Sequence, residues 1–235
     1  MRFLLCNGSP HGDKGATAGY IKALETGIRG VDGSAETGGV GNGAAVETTI
    51  KNGDAIVENA LLVRVRDHAQ FAEKAVAADI VIVAFPLYTD AMPGITMAFF
   101  ESLEPYIGQM SKLRIGFIVQ SGFPEKSHSK PVEKYLERLV SILGAQYIGT
   151  AIFGSGMMMN AKREKLIAEL GASLVQTGTF DAALLKRTTP LERLGFFSKV
   201  GVRIMARTPF LNYFWDKDLK ANGVYEKRFD QPFCG

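Results

Sequence analysis

Between Asn7 and Thr17 the chain reads NGSPHGDKGAT. Two hydroxyls, Ser9 and Thr17, flank the small pair Gly15–Ala16, just ahead of a segment with helical spacing. The first N–H groups of a helix have no intrahelical acceptor and lie at the positive end of its dipole, so such a loop attracts anions. Amides of Gly15, Ala16 and Thr17, with the Ser9 and Thr17 hydroxyls, would suit a terminal phosphate monoester. A plain strand-to-helix loop with Thr17 as cap is the simpler alternative. The loop has neither G-x-x-x-x-G-K-[ST] nor G-x-G-x-x-G, the signatures of a triphosphate cradle and a pyrophosphate turn.

Two further stretches have marked composition. In FPLYTDAMPG, Phe85 to Gly94, the backbone is restricted by Pro86 and Pro93 next to Gly94. Tyr88 could stack on a flat ring, amides near Thr89 could face its polar edge, and Leu87 and Met92 add apolar contact. In VQSGFPEKSHSK, Val119 to Lys130, Ser121 and Gly122 leave room for a planar molecule beside Phe123, and His128 reads as an exposed loop histidine. Cysteine chemistry is absent from the pattern. Cys6 and Cys234 stand at opposite ends with three scattered histidines, which excludes a cysteine-rich metal or cluster site and a disulfide framework. Cys6 would suit a phosphatase nucleophile, but Cys-x5-Arg places Gly12 where the arginine is required.

The elements that must position these loops alternate short apolar runs with helical segments, the pattern of a parallel sheet covered on both faces. Strands are expected at Phe3–Cys6, Leu61–Val65, Ala78–Phe85, Leu113–Val119 and Ala145–Phe153. ADIVIVAF is continuously apolar and β-branched, as a central buried strand must be. Helices are expected at Thr17–Arg29, at HAQFAEKAVAA, at Gly94–Ile107, at Val132–Leu143 and at Lys162–Gln176. The fold expected is therefore α/β, a doubly wound three-layer sandwich with a five-stranded parallel sheet. In such sheets ligands sit beyond the carboxyl ends of the strands, where all three marked loops fall.

Two segments fall outside this rhythm. Residues 30–58 are rich in Gly, Ala and Thr and read as an insertion in the domain 1–177. Within them Gly39, Gly41 and Ala44 match G-x-G-x-x-G/A, but no strand leads in and no helix leads out, so a surface loop is the better reading. Residues 178–235 form a C-terminal extension, aromatic and basic, expected to be helical or irregular. Lys199, Arg203 and Arg207 share a helical side with Phe196 and Val200, a poor segregation for membrane-surface binding through 190–215. Packing on the domain, on a partner subunit or over the site is the favoured expectation, with Phe210, Tyr213 and Trp215 shaping a pocket.

Lys plus Arg is 27 and Asp plus Glu is 24, a formal balance of +3 in 235 residues without a dense basic run. That does not point to nucleic acid. MRFLLC breaks at Asn7, too early for a signal peptide, and a cytoplasmic location is the default expectation.

The first loop resembles the GSPR-x-x-SNT phosphate loop of NAD(P)H-dependent FMN reductases and related flavodoxin-like proteins. AFPLYTDAMPG resembles their second loop, of the form SPVYWGSMPG, which runs along the isoalloxazine. The resemblance covers about residues 1–177. It implies a flavodoxin-like fold, noncovalent FMN, NAD(P)H as co-substrate and a homodimer. It also implies two-electron reduction of a small acceptor: a quinone, flavin, nitro compound or metal oxyanion. The cofactor contacts it implies are Ser9, His11, Gly15, Ala16, Thr17, Pro86, Leu87, Tyr88, Thr89, Met92, Gly94, Ser121, Gly122 and Phe123. No side chain is assigned as catalytic, since the flavin carries the chemistry. His11 stands where the family often has Arg, and Gly15–Ala16 where it often has Ser–Asn, so two phosphate-facing side chains are absent. An iron–sulfur flavoprotein would need clustered cysteines. The competing classes are a flavodoxin-type electron carrier and an FMN-binding sensor. Carriers are short and strongly acidic, unlike this chain.

Overall fold

Five strands, β1 (Arg2–Asn7), β2 (Ile56–Leu61), β3 (Ile80–Pro86), β4 (Arg114–Gln120) and β5 (Gln146–Phe153), pair in parallel in the order β2-β1-β3-β4-β5. The structure, a computed structural model, describes residues 1–30, 55–88, 90–122, 125–154 and 159–188. In the C-terminal part it describes 195, 200–201, 203–204, 207 and 209–230. The order is that of a flavodoxin-like fold, in which the chain reverses direction across the sheet between β1 and β3. β3 lies at the centre, and its residues Ile80 to Phe85 are all buried, which explains the unbroken apolar run.

Alternation along each strand feeds two cores. Leu4, Cys6, Val81, Val83, Phe85 and Phe117 face a layer of α2 (His68–Val76), α3 (Gly94–Glu101) and α4 (Lys130–Leu143). Phe3, Leu5, Ile80, Ile82 and Ile118 face α1 (Ala16–Arg29) and α5 (Ala161–Thr177). α1 and α5 approach backbone to backbone: a Cβ on Gly27 would lie 1.9 Å from the Ala168 carbonyl oxygen, and one on Gly171 2.3 Å from that of Leu24. Only glycine permits that contact.

Three expected boundaries move. The second strand is Ile56–Leu61, not Leu61–Val65: Leu62 and Val63 turn away, and Val65–Asp67 form a 3-10 turn. β2 pairs on one side only, and it is aligned by β1, from Arg2 opposite Ile56 to Asn7 opposite Leu61. The insertion expected over 30–58 therefore yields its last residues to a strand, and 31–54, with Gly39, Gly41 and Ala44, lie outside the described residues. The helix expected over Gly94–Ile107 stops at Glu101, and Glu104–Tyr106 form a separate 3-10 turn around Pro105, whose ring and missing N–H end the helical ladder.

The chain divides into two compact units, Met1–Glu192 and Arg193–Gly235. The first runs past residue 177: Phe180 is buried in the α1–α5 core, and α6 (Ala182–Thr188) packs on α5 and β5. The second contains α7 (Pro209–Ala221) and a 3-10 turn, Tyr225–Lys227. Within it the Arg228 guanidinium lies 3.8 Å from the Tyr225 ring centroid and 4.7 Å from that of Phe229. Tyr213 and Trp215 are exposed, and the side chain of Phe210 is outside the described residues. Among the described residues no helix is long and apolar enough to cross a membrane.

Candidate functional site

Asn7 ends β1 and braces the loop that follows. Its Oδ1 accepts from the Ser9 N–H at 3.0 Å, and its Nδ2 donates to the Gly12 carbonyl at 3.1 Å. Ser9 Oγ accepts from the His11 N–H at 3.2 Å, and Gly12, at φ +53°, starts a 3-10 turn that delivers Gly15 to the head of α1. Gly15 is extended and gives no side-chain cap, so the Ala16 and Thr17 N–H groups keep the orphan status of a helix start. A Cβ on Gly15 would meet Ser9 Oγ at 2.8 Å. Thr17 is buried, and its hydroxyl donates to Gln120 Oε1 at 3.4 Å.

The loops after β3 and β4 are tied to each other. Leu87 N–H donates to the Gln120 carbonyl at 2.7 Å, and Ser121 N–H to that of Phe153 at 2.9 Å. Tyr88 and Ala91 exchange two backbone bonds, at 3.1 and 3.0 Å, closing a reversal in which Asp90 takes φ +61°. Asp tolerates that left-handed conformation better than most residues. On the other side, Thr96 Oγ1 of α3 donates to the Gly8 carbonyl at 3.1 Å and fixes the first loop to the second.

These loops enclose a cavity of about 620 Å³ at the carboxyl ends of β1, β3 and β4, within the range of small-molecule sites. Its wall includes Ser9, His11, Gly15, Ala16 and Thr17 from the first loop, Pro86, Leu87 and Tyr88 from the second, and Ser121 and Gly122 from the third. Two expected contacts are elsewhere. Met92 is buried in the core under α2, α3 and α4, because the reversal at Asp90 sends the chain back into the molecule. Gly94 opens α3 and is not part of the wall. Thr89 and Phe123 lie outside the described residues, as does the side chain of His128.

Three wall residues were not anticipated: Lys14, Asp90 and Gln120. Gln120 carried a signal, as the one uncharged polar side chain in the strand RIGFIVQ. It is 5% exposed, and its Nε2 has no hydrogen-bond partner among the described residues. Cys6, by contrast, has its thiol in the core, where burial pushes its pKa far up and leaves it unsuited to nucleophilic work. Among the described residues no cluster of His, Cys, Asp or Glu could hold a metal ion.

No protein-family model matches the chain, and no curated protein is similar to it. Solved structures are similar in fold. A NADH:FMN oxidoreductase in its apo form superposes with a TM-score of 0.55 at 12% identity, covering 83% of this chain and 96% of that one. An FMN-dependent NADH-azoreductase from Bacillus anthracis, in complex with FMN, gives 0.52 at 11%, covering 74% and 100%. A Trp repressor binding protein from Bacillus subtilis gives 0.51 at 17%, covering 74% and 98%. The likeness is one of fold, and it is the flavodoxin-like fold that the loop resemblance implies.

Proposed function

We propose that the chain is an FMN-dependent oxidoreductase that takes electrons from NAD(P)H and delivers them to a small acceptor such as a quinone, a flavin or a nitro compound. The observation that carries this reading is the cavity at the sheet's reversal point, lined by the start of α1 and by the loops after β3 and β4. The buried groups suit FMN. The Ala16 and Thr17 N–H groups and the Ser9 and Thr17 hydroxyls would hold a phosphate monoester, and the donor left over on Gln120 Nε2 needs an acceptor that only a ligand can supply. Pro86, Leu87 and Tyr88 on one side, with Ser121 and Gly122 on the other, would bracket the ring system.

Bound FMN would supply hydride acceptance and two-electron transfer, chemistry that no side chain of the cavity provides. The protein's share is placement. Asn7 and Thr96 fix the first loop from two sides, and the Leu87-to-Gln120 and Ser121-to-Phe153 backbone bonds tie the starts of the other two loops to the neighbouring strands. Gly122 is exposed, and among the described residues nothing lies within 4 Å of where its Cβ would be, which leaves room for a second planar molecule. Tyr88 is 47% exposed and can lie against that molecule or the ring.

The test is the visible spectrum of the purified protein before and after adding FMN, followed by anaerobic NAD(P)H. Flavin bands that NAD(P)H bleaches, and that a quinone restores, are expected. Bands that persist with NAD(P)H would turn the reading to an electron carrier or a sensor, and no FMN uptake would overturn it.

A further inference from the structure

Among the described residues, three buried side-chain atoms lack a partner: Asn59 Oδ1, Ser129 Oγ and Gln120 Nε2. Only Gln120 lines the cavity. Folding an amide NH₂ away from water without an acceptor is costly, so a retained orphan of this kind calls for an explanation. Its position supplies one. The other end of the same amide, Oε1, takes the long hydroxyl bond from Thr17, the second residue of α1, so the amide group stands beside the helix start where the Ala16 and Thr17 N–H groups are orphaned.

The anion seat is otherwise short of donors. A phosphate monoester presents three terminal oxygens, each able to accept more than one bond. The first loop offers two backbone N–H groups and the hydroxyls of Ser9 and Thr17, and the Thr17 hydroxyl already leans toward Gln120 at 3.4 Å. We propose that Gln120, on β4, reads the phosphate end of the ligand: its Nε2 donates to a phosphate oxygen, and its Oε1 orients the Thr17 hydroxyl beside it. The site thereby discriminates a phosphorylated flavin from its unphosphorylated form. This rests on the FMN reading above for the ring, but not for the anion.

The experiment compares wild type with Gln120→Met, which keeps length and removes the amide, and Gln120→Glu, which sets a carboxylate beside the phosphate. Three quantities are read: melting temperature without flavin, affinity for FMN and for riboflavin by fluorescence quenching, and protection against thermal unfolding by inorganic phosphate. Gln120→Met is expected to leave the flavin-free melting temperature close to that of wild type, because removing the unsatisfied Nε2 donor offsets the loss of the long Thr17 bond. FMN affinity should fall about 10- to 100-fold, the range for a buried bond to a charged group. Riboflavin affinity should stay near wild type, and Gln120→Glu should lose more FMN affinity than Gln120→Met.

A lower melting temperature for Gln120→Met would mean a structural amide and overturn the proposal. So would unchanged FMN affinity, or riboflavin weakened as much as FMN, which would place the contact on the polyol or ring. If wild type takes up no flavin yet phosphate protects it through Gln120, the flavin reading fails and the phosphate assignment stands. If neither FMN nor phosphate binds wild type, both fall.

Discussion

On one face of the sheet α1 and α5 meet through glycines, and on the other α2 and α3 pack through rings and α4 through Val132, Leu136, Val140 and Leu143. Gly27 and Gly171 let two helix backbones touch, and farther along Arg163 of α5 donates to the Tyr20 hydroxyl of α1 at 3.0 Å and to the Gly154 carbonyl at 2.9 Å. Across the sheet, Phe99 packs edge-on to Phe100 and to His68, and Phe85 edge-on to Phe117. The first face brings two helix backbones into contact beside one edge-on ring pair, Tyr20 and Phe153, and the second rests on a larger set of ring contacts. Since the proposed anion seat lies at the start of α1, the glycine face is expected to weigh more on the geometry of the site, to which the ring face adds the Thr96 bond to Gly8, and the ring face more on stability.

That division can be broken by substitutions on each side. Phe99→Ala, on the ring face, should cost about 3–5 kcal/mol in denaturant unfolding, the range for emptying a buried aromatic site, with FMN affinity of the folded fraction little changed. A matching collapse in affinity would show that the two faces are not separable. Gly171→Ala should cost less, about 1–3 kcal/mol as overpacking does, but should weaken FMN binding because α1 must move away from α5. Calorimetry and FMN titration of the same preparation read both quantities, and normal affinity with lowered stability would remove the link between the helix contact and the seat.

The smallest effect concerns proton linkage. Burial, chiefly, pushes the Tyr147 phenol up to about 12, with Glu133 and Glu137 adding to the rise and the Thr150 hydrogen bond opposing it. Burial also raises Tyr20 on the glycine face, against the Arg163 charge. A raised phenol stays protonated when the unfolded one, near 10.0, has ionised. Its contribution is complete below pH 10 and is lost as pH rises toward about 12. Tyr147→Phe should flatten that decline, which urea unfolding at a series of alkaline pH values would detect.

How much of this was legible in the sequence varies by residue. β3 announced itself because a strand buried on both faces must be apolar throughout, and the five strands and the loops at their carboxyl ends followed from the alternation. β2 was displaced because an edge strand needs few apolar residues: Glu58 and Asn59 are half-buried in it, while the more apolar LLVRV begins only as it ends. Met92 looked available because composition does not tell which way a loop residue points, and that was decided by the left-handed Asp90. Gln120 gave a signal that was easy to pass over, since a polar residue closing a strand looks like a boundary, and its place beside Thr17, a distant residue in the chain, is a product of the fold.

Asn7 has one more consequence, chemical rather than structural. Asparagine followed by glycine is the pair whose side-chain amide is most readily lost, when the glycine nitrogen attacks the amide carbon and closes a ring. Here both ends of the Asn7 amide are engaged, and the Gly8 nitrogen is committed to the Ala84 carbonyl at 2.7 Å. Asn222–Gly223, in the second unit, is exposed. The folded chain therefore protects the asparagine that shapes its cavity from the ageing reaction its own sequence invites, and a molecule that unfolds for long enough returns with a damaged loop.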